Sequence, residues 1–293
     1  MEFTIENEYL KVTVTTQGAQ VKSVLRKSDG VEHMWQADPA VWGYHAPILF
    51  PYAGKLVKGE LLAKGKVYDG SRQHGFARNL EHSVLFCGEN SIALELTESP
   101  ETLALWPYRF RLLSTFTIEG DTLHHTLTVE NHDEEAMPFG IGYHPAFAIP
   151  FDEKHTYSDY ELRFDSVESP ICLDQSGCGL IGPNHYYLGK NIRASDVDAH
   201  LFDNYSHCMT GLSSRTLGLY EKDTGRAVVC SIRSFPYVLI WSKPGEPKFI
   251  CIEPWNSLPS TIDGGTDWDE KPAAAILAPG DDWSTTLSTS FAR

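Results

Sequence analysis

Three short stretches of the chain carry side chains suited to moving protons. "RQHGFARN", residues 72–79, places His74 just before a glycine, where the backbone can bend closely, and flanks it with Arg72 and Arg78. "MPFGIGYHPAF", residues 137–147, sets His144 between Tyr143 and Pro145. Pro145 biases His144 towards extended backbone and removes a main-chain donor, so the ring can project from a strand end into a cleft. "PKFICIEPWNSLPS", residues 247–260, closes an apolar run on Glu253, with Pro254 and Trp255 behind it. Strand parity puts Ile250 and Ile252 on one face and Phe249, Cys251 and Glu253 on the other. A carboxylate between apolar walls has a raised pKa, which suits a general base near neutral pH. Each stretch also has a plainer reading. The first is then a solvated basic loop and the second a histidine satisfied by a neighbouring carbonyl. The third is a strand-end glutamate turned to solvent or to an ion-pair partner.

Other chemistries find less support. The twelve histidines and six cysteines include no His-x-x-x-His and no Cys-x-x-Cys spacing, so a metal site would need residues distant in sequence, and none is predicted. No Gly-x-Ser-x-Gly elbow and no Walker loop is present, and the glycines of "GIGYHP" open no helix.

The elements that must position these residues are strands. "YLKVTV" aligns Leu10, Val12 and Val14; "SIALEL" aligns Ile92, Leu94 and Leu96; "TLHHTLTVE" aligns Leu123, His125, Leu127 and Val129. Glu119-Gly120-Asp121 and Asp223-Thr224-Gly225 read as hairpin turns. Helical signals are brief: Ser99-Pro100 predicts one or two turns through Leu105, and Ser195 with Asp198 predicts another short helix near "DVDAHLF". No helix alternates with the strands, so the pattern predicts an all-β chain, one large antiparallel β-sandwich over residues 1–293. A net charge of −15 disfavours nucleic acid and anionic membrane as partners. The scattered cysteines, the absence of an apolar leader in "MEFTIENEYL" and the lack of a spanning apolar run predict a reduced cytoplasmic protein.

The three stretches, taken in order with "MWQADPAVWGYHAPILFPYAGKL", "SFPYVLIWS" and "EKPAAAILAPGDDW", resemble the aldose 1-epimerase (galactose mutarotase-like) family, in particular its LacX-type branch. The resemblance covers nearly the whole chain. It implies a β-sandwich that binds a sugar in a cleft on one sheet and interconverts α and β anomers of a free hexose without cofactor or metal. It implies Glu253 as general base, His144 as general acid and His74 as a second histidine near the ring oxygen. It further implies sugar contacts from Lys55, Arg78, Asp203 and Trp255, in a monomer or homodimer. Two positions depart from the pattern. Lys55 stands where relatives carry an arginine, and the sugar-contacting aspartate of relatives falls by register at Tyr205, with Asp203 two residues earlier. A hexose 6-phosphate as substrate, and a sugar-binding protein without turnover, are the alternatives.

Overall fold

The period-two runs become long antiparallel strands in the computed structural model, which describes residues 1–175, 177–204, 206–271 and 273–292. Strands Phe110–Glu119 and Thr122–Asn131 bury alternate residues and close on Gly120, with Glu119 opposite Thr122. Gly120 takes φ +57°, a conformation that costs glycine little. The second predicted turn likewise joins Thr216–Glu221 to Ala227–Ser231. Leu10, Val12, Val14, Ile92, Leu94, Leu127 and Val129 are all fully buried, as their parity requires.

Among the described residues the strands assemble into one sheet of nine strands and one of eight, with smaller two- and three-stranded sheets beside them. The two large sheets face each other. The Tyr143 hydroxyl, on the eight-stranded sheet, donates a bond shared between the carbonyls of His125 (2.8 Å) and Thr285 (2.9 Å) on the nine-stranded one. One connected apolar cluster between and around them runs from Ile5 to Phe291. The central strand Phe249–Trp255 is buried at every position. Its Ile250 and Ile252 join the main core, while Phe249 and Cys251 pack with Ala146, Trp35, Trp42 and Trp241 on the opposite face.

Helix is scarce. Pro100–Leu105 forms as predicted, with Ser99 and Thr102 closing a reciprocal capping box. The helix predicted from Ser195 and Asp198 does not form. Ser195 lies in strand Ile192–Asp196, paired with Leu162, and turns follow it. Pairing with the long strand Tyr160–Glu168 satisfies that backbone and overrides the weak local capping signal. All six cysteines are unpaired. Among the described residues, no helix is long and apolar enough to cross a membrane.

The core also holds imidazoles. His33 is completely buried between Phe151 and Phe291, and neither of its ring nitrogens has a partner. Burial pushes its pKa down to about 3, and that of His125 likewise. The native state therefore holds both rings neutral where the unfolded chain would protonate them. Below pH 6.5, stability should fall by roughly 1.4 kcal/mol per pH unit for each such histidine, until about pH 3 is reached. Thermal unfolding followed against pH checks this. His33→Phe should flatten the slope by one histidine, and an unchanged slope would contradict the assignment.

Candidate active site

The backbone register brings His144 and Glu253 together. Gly142 pairs with Trp255, and Ala146 pairs with Cys251 on the same strand. Continuing that antiparallel register sets His144 directly opposite Glu253. Pro145 interrupts the ladder there, since it has no N–H to donate. His144 Nε2 lies 3.3 Å from Glu253 Oε2, and both side chains are buried, 7% and 2% exposed. Gly142 is needed as glycine: a Cβ there would stand 2.6 Å from the Trp255 ring.

His74 enters from a tight loop. It has φ +68°, as does Gly75, and a Cβ on Gly75 would meet the Phe50 carbonyl oxygen at 2.2 Å. The Gly54 N–H donates to His74 Nδ1 at 2.9 Å. That bond makes Nδ1 the acceptor and leaves the ring proton on Nε2, so His74 is a neutral donor. Its ring centroid is 5.5 Å from that of His144 and 5.6 Å from that of Trp255.

These groups line a cleft of about 290 Å³ that also includes Arg78, Trp42 and Trp241. Trp42 stacks on His144 at 5.0 Å, and Trp241 meets it edge-on. Arg78 lies over the Tyr44 ring and donates to the Gln73 carbonyl at 2.8 Å, while its Nε is buried without a partner. Burial raises the Glu253 carboxyl well above the usual carboxylate range, with a Trp255 hydrogen bond opposing. Burial lowers His144 to about 3, helped by the Arg78 charge, and lowers His74 well below the ordinary imidazole value. Desolvation thus favours a neutral pair with the acidic proton on Glu253. This is the reverse of the ionised general base and protonated general acid that the roles implied by the family resemblance require, because neither ring nor carboxyl is solvated.

Of the residues singled out from sequence, His74, His144, Glu253, Arg78 and Trp255 meet in this cleft. Lys55 and Asp203 are not among its lining residues. The Lys55 ammonium donates instead to the Cys178 carbonyl at 2.9 Å, behind the lining residue Gly179. Asp203 is exposed and pairs with His200 at 2.8 Å on a surface turn. A short carboxylate beside an exposed imidazole finds its partner locally. Tyr205 lies outside the described residues. Trp42, Trp241, Gln175, Ser206 and Lys243, which the sequence alone does not single out, also line the cleft. Both tryptophans sit in motifs that carried the resemblance; Gln175 and Ser206 come from irregular segments with no pattern to flag them.

The sequence profile of the aldose 1-epimerase family matches residues 1–271. The chain is a member of the aldose 1-epimerase family. The plasmid-borne Protein LacX of Lactococcus lactis subsp. lactis is 32% identical to it over 289 residues, 96% of each chain. Among solved structures, a galactose mutarotase related enzyme from Lactobacillus acidophilus superposes with TM-score 0.95 at 29% identity, covering 100% of this chain and 98% of that one. A galactose mutarotase-like protein from Lactobacillus casei gives TM-score 0.90 at 27% identity, covering 99% of both chains. This aldose 1-epimerase family member thus has the galactose mutarotase-like fold.

Proposed function

We propose that the protein interconverts the α and β anomers of a free hexose such as galactose or glucose. The observation that carries this reading is the register-matched His144–Glu253 pair, 3.3 Å apart in the cleft. Opening a hemiacetal requires one proton removed from the anomeric hydroxyl and one delivered to the ring oxygen. The pair holds one acidic proton between its two members, so it always offers one donor and one acceptor. Sugar binding brings hydroxyl dipoles against the carboxyl and draws the proton to His144. Glu253 then takes the anomeric proton while His144 protonates the ring oxygen and the C1–O5 bond breaks. The aldehyde turns about C1–C2, and closure on its other face reverses both transfers. His74 Nε2–H supports the ring oxygen as charge develops there, and Trp255 closes the cleft beside it.

Polarimetry of freshly dissolved α-anomer tests this directly: the protein should accelerate the approach to equilibrium. Calorimetric sugar binding without acceleration would replace the reading with that of a non-catalytic sugar binder. The pH dependence gives a sharper check. A second proton on the pair is opposed by burial, which holds His144 down to about 3. The acid limb of kcat/KM should therefore lie well below the 6.5 of a free imidazole, and the alkaline limb above the ordinary carboxylate value of 4.5. An acid limb at 6.5 would mean that a solvated histidine, not this pair, controls the rate.

One observation favours a second reading. Arg78 and the exposed Lys243 both line the cleft, and neither has a carboxylate ion-pair partner among the described residues. Two unneutralised cations in a chain of net charge −15 suit an anionic substituent such as the phosphate of a hexose 6-phosphate. Comparing kcat/KM on free and phosphorylated glucose separates the two substrates.

A further inference from the structure

A third potential ligand sits against the acid/base pair. Parity places Cys251 on the same face of its strand as Glu253, and register places His144 opposite Glu253 and diagonal to Cys251. One ligand atom from each of His144, Cys251 and Glu253 lies within 4.8 Å of the other two. Zinc bonds of about 2.0–2.3 Å in a tetrahedron hold neighbouring ligand atoms roughly 3.3–3.8 Å apart. The His144–Glu253 separation of 3.3 Å already matches such an edge, so only the thiol has to close in.

We propose that a thiophilic divalent cation, zinc being the type, binds between His144, Cys251 and Glu253. The ligand set is a thiolate, an imidazole and a carboxylate, which suits zinc or cobalt and not magnesium or calcium. His144 gives the Nε2 lone pair and keeps its proton on Nδ1, which has no other partner. As the cation enters, the Cys251 thiol and the Glu253 carboxyl each release one proton to solvent. The two resulting anions cancel the dication, so the buried set is electrically neutral. The fourth position faces the cleft, which His144 and Glu253 line, and is filled by water or a sugar hydroxyl. A second cluster among the described residues, Asp152, His155 and Glu221, does not compete. Arg226 already holds both of its carboxylates at 2.5 and 2.6 Å, and its charge repels a second cation.

The bound cation would take over both proton-transfer groups, so inhibition of anomer interconversion follows; that consequence rests on the function proposed above, whereas the site does not. Cobalt(II) and zinc titrations of the full chain test both. The expected result is one cobalt ion with a thiolate-to-metal charge-transfer band, displaced by zinc and unaffected by excess magnesium. Cys251→Ser should abolish the band and weaken zinc binding by at least about 100-fold, more than the loss of an outer-shell partner costs. Cys251→Ala, checked for native circular dichroism, repeats the test should serine not be tolerated. A charge-transfer band that persists in either variant, or an unchanged zinc affinity, overturns the site, the metal then sitting on Cys87, Cys178 or surface histidines. Zinc binding lost with Cys251 but without effect on the wild-type rate upholds the site and overturns the acid/base roles instead.

Discussion

Glu253→Gln should lower kcat for anomer interconversion by about 10²–10⁴-fold, the usual contribution of a positioned general acid or base. Glutamine keeps the shape and the neutral charge that burial already favours at this position, so sugar affinity by calorimetry should change little. His144→Asn should cost a similar factor. The double variant should be only slightly slower than either single one, because the two residues act on one sugar as a unit. Glu253→Gln should also leave the protein as stable as the parent or more so. A carboxyl whose folded pKa is raised destabilises the native state whenever it ionises, so the gain should grow as pH rises above the ordinary carboxylate value. A glutamine variant that interconverts anomers at the parental rate would remove Glu253 from the mechanism.

Arg226→Met should destabilise the fold by about 3–5 kcal/mol, the cost of leaving a buried charge without its partner. Glu221 is fully buried. It accepts from the Tyr160 hydroxyl at 2.5 Å and from the Arg226 Nε at 2.7 Å, and Thr224 also donates to it. Arg226 in turn reaches Asp152 at 2.5 Å, which binds His155 at 2.6 Å. Without the guanidinium, Glu221 keeps only the His155 ring, 3.4 Å away, as a basic neighbour among the described residues. Denaturant midpoints of Arg226→Met, Glu221→Gln and the double variant measure this. The double variant should recover much of the loss, since it removes the orphaned charge. Equal losses in the single and double variants would show that packing of the arginine stem, not charge, carries the effect.

The proposed acid/base pair is legible because two local rules converge on it. Parity along "FICIEPW" set Glu253 apart from Ile250 and Ile252, and Pro145 marked the point where His144 leaves the ladder. What parity could not supply was the pairing of the two segments, which are over one hundred residues apart and meet through a register that includes Gly142 with Trp255 and Ala146 with Cys251. The strands were legible for the same reason as Glu253: a half-buried pleated surface writes its period into the sequence. The short helix near Ser195 misled because capping residues are worth little against a strand edge in need of a partner. Lys55 and Asp203 were placed by family pattern, and the structure gives each a neighbour of its own, the Cys178 carbonyl and His200. The Arg226–Glu221 pair is not legible in sequence, since nothing in "YEKDTGRAV" shows that one end of that hairpin is buried.

The placement of His144 opposite Glu253 has a consequence for how this protein can change. His144 and Glu253 are spaced by the hydrogen-bond lattice of the eight-stranded sheet, whereas Gln175, Ser206 and Trp42 reach the cleft from segments outside its ladders. A one-residue slip would replace the carboxyl with Ile252 or Pro254 and silence the chemistry, but insertions in those outlying segments leave the ladder untouched. On the proposed function, reaction and sugar choice are therefore separately inheritable: the chain can be retuned to a new sugar without reinventing how the ring is opened.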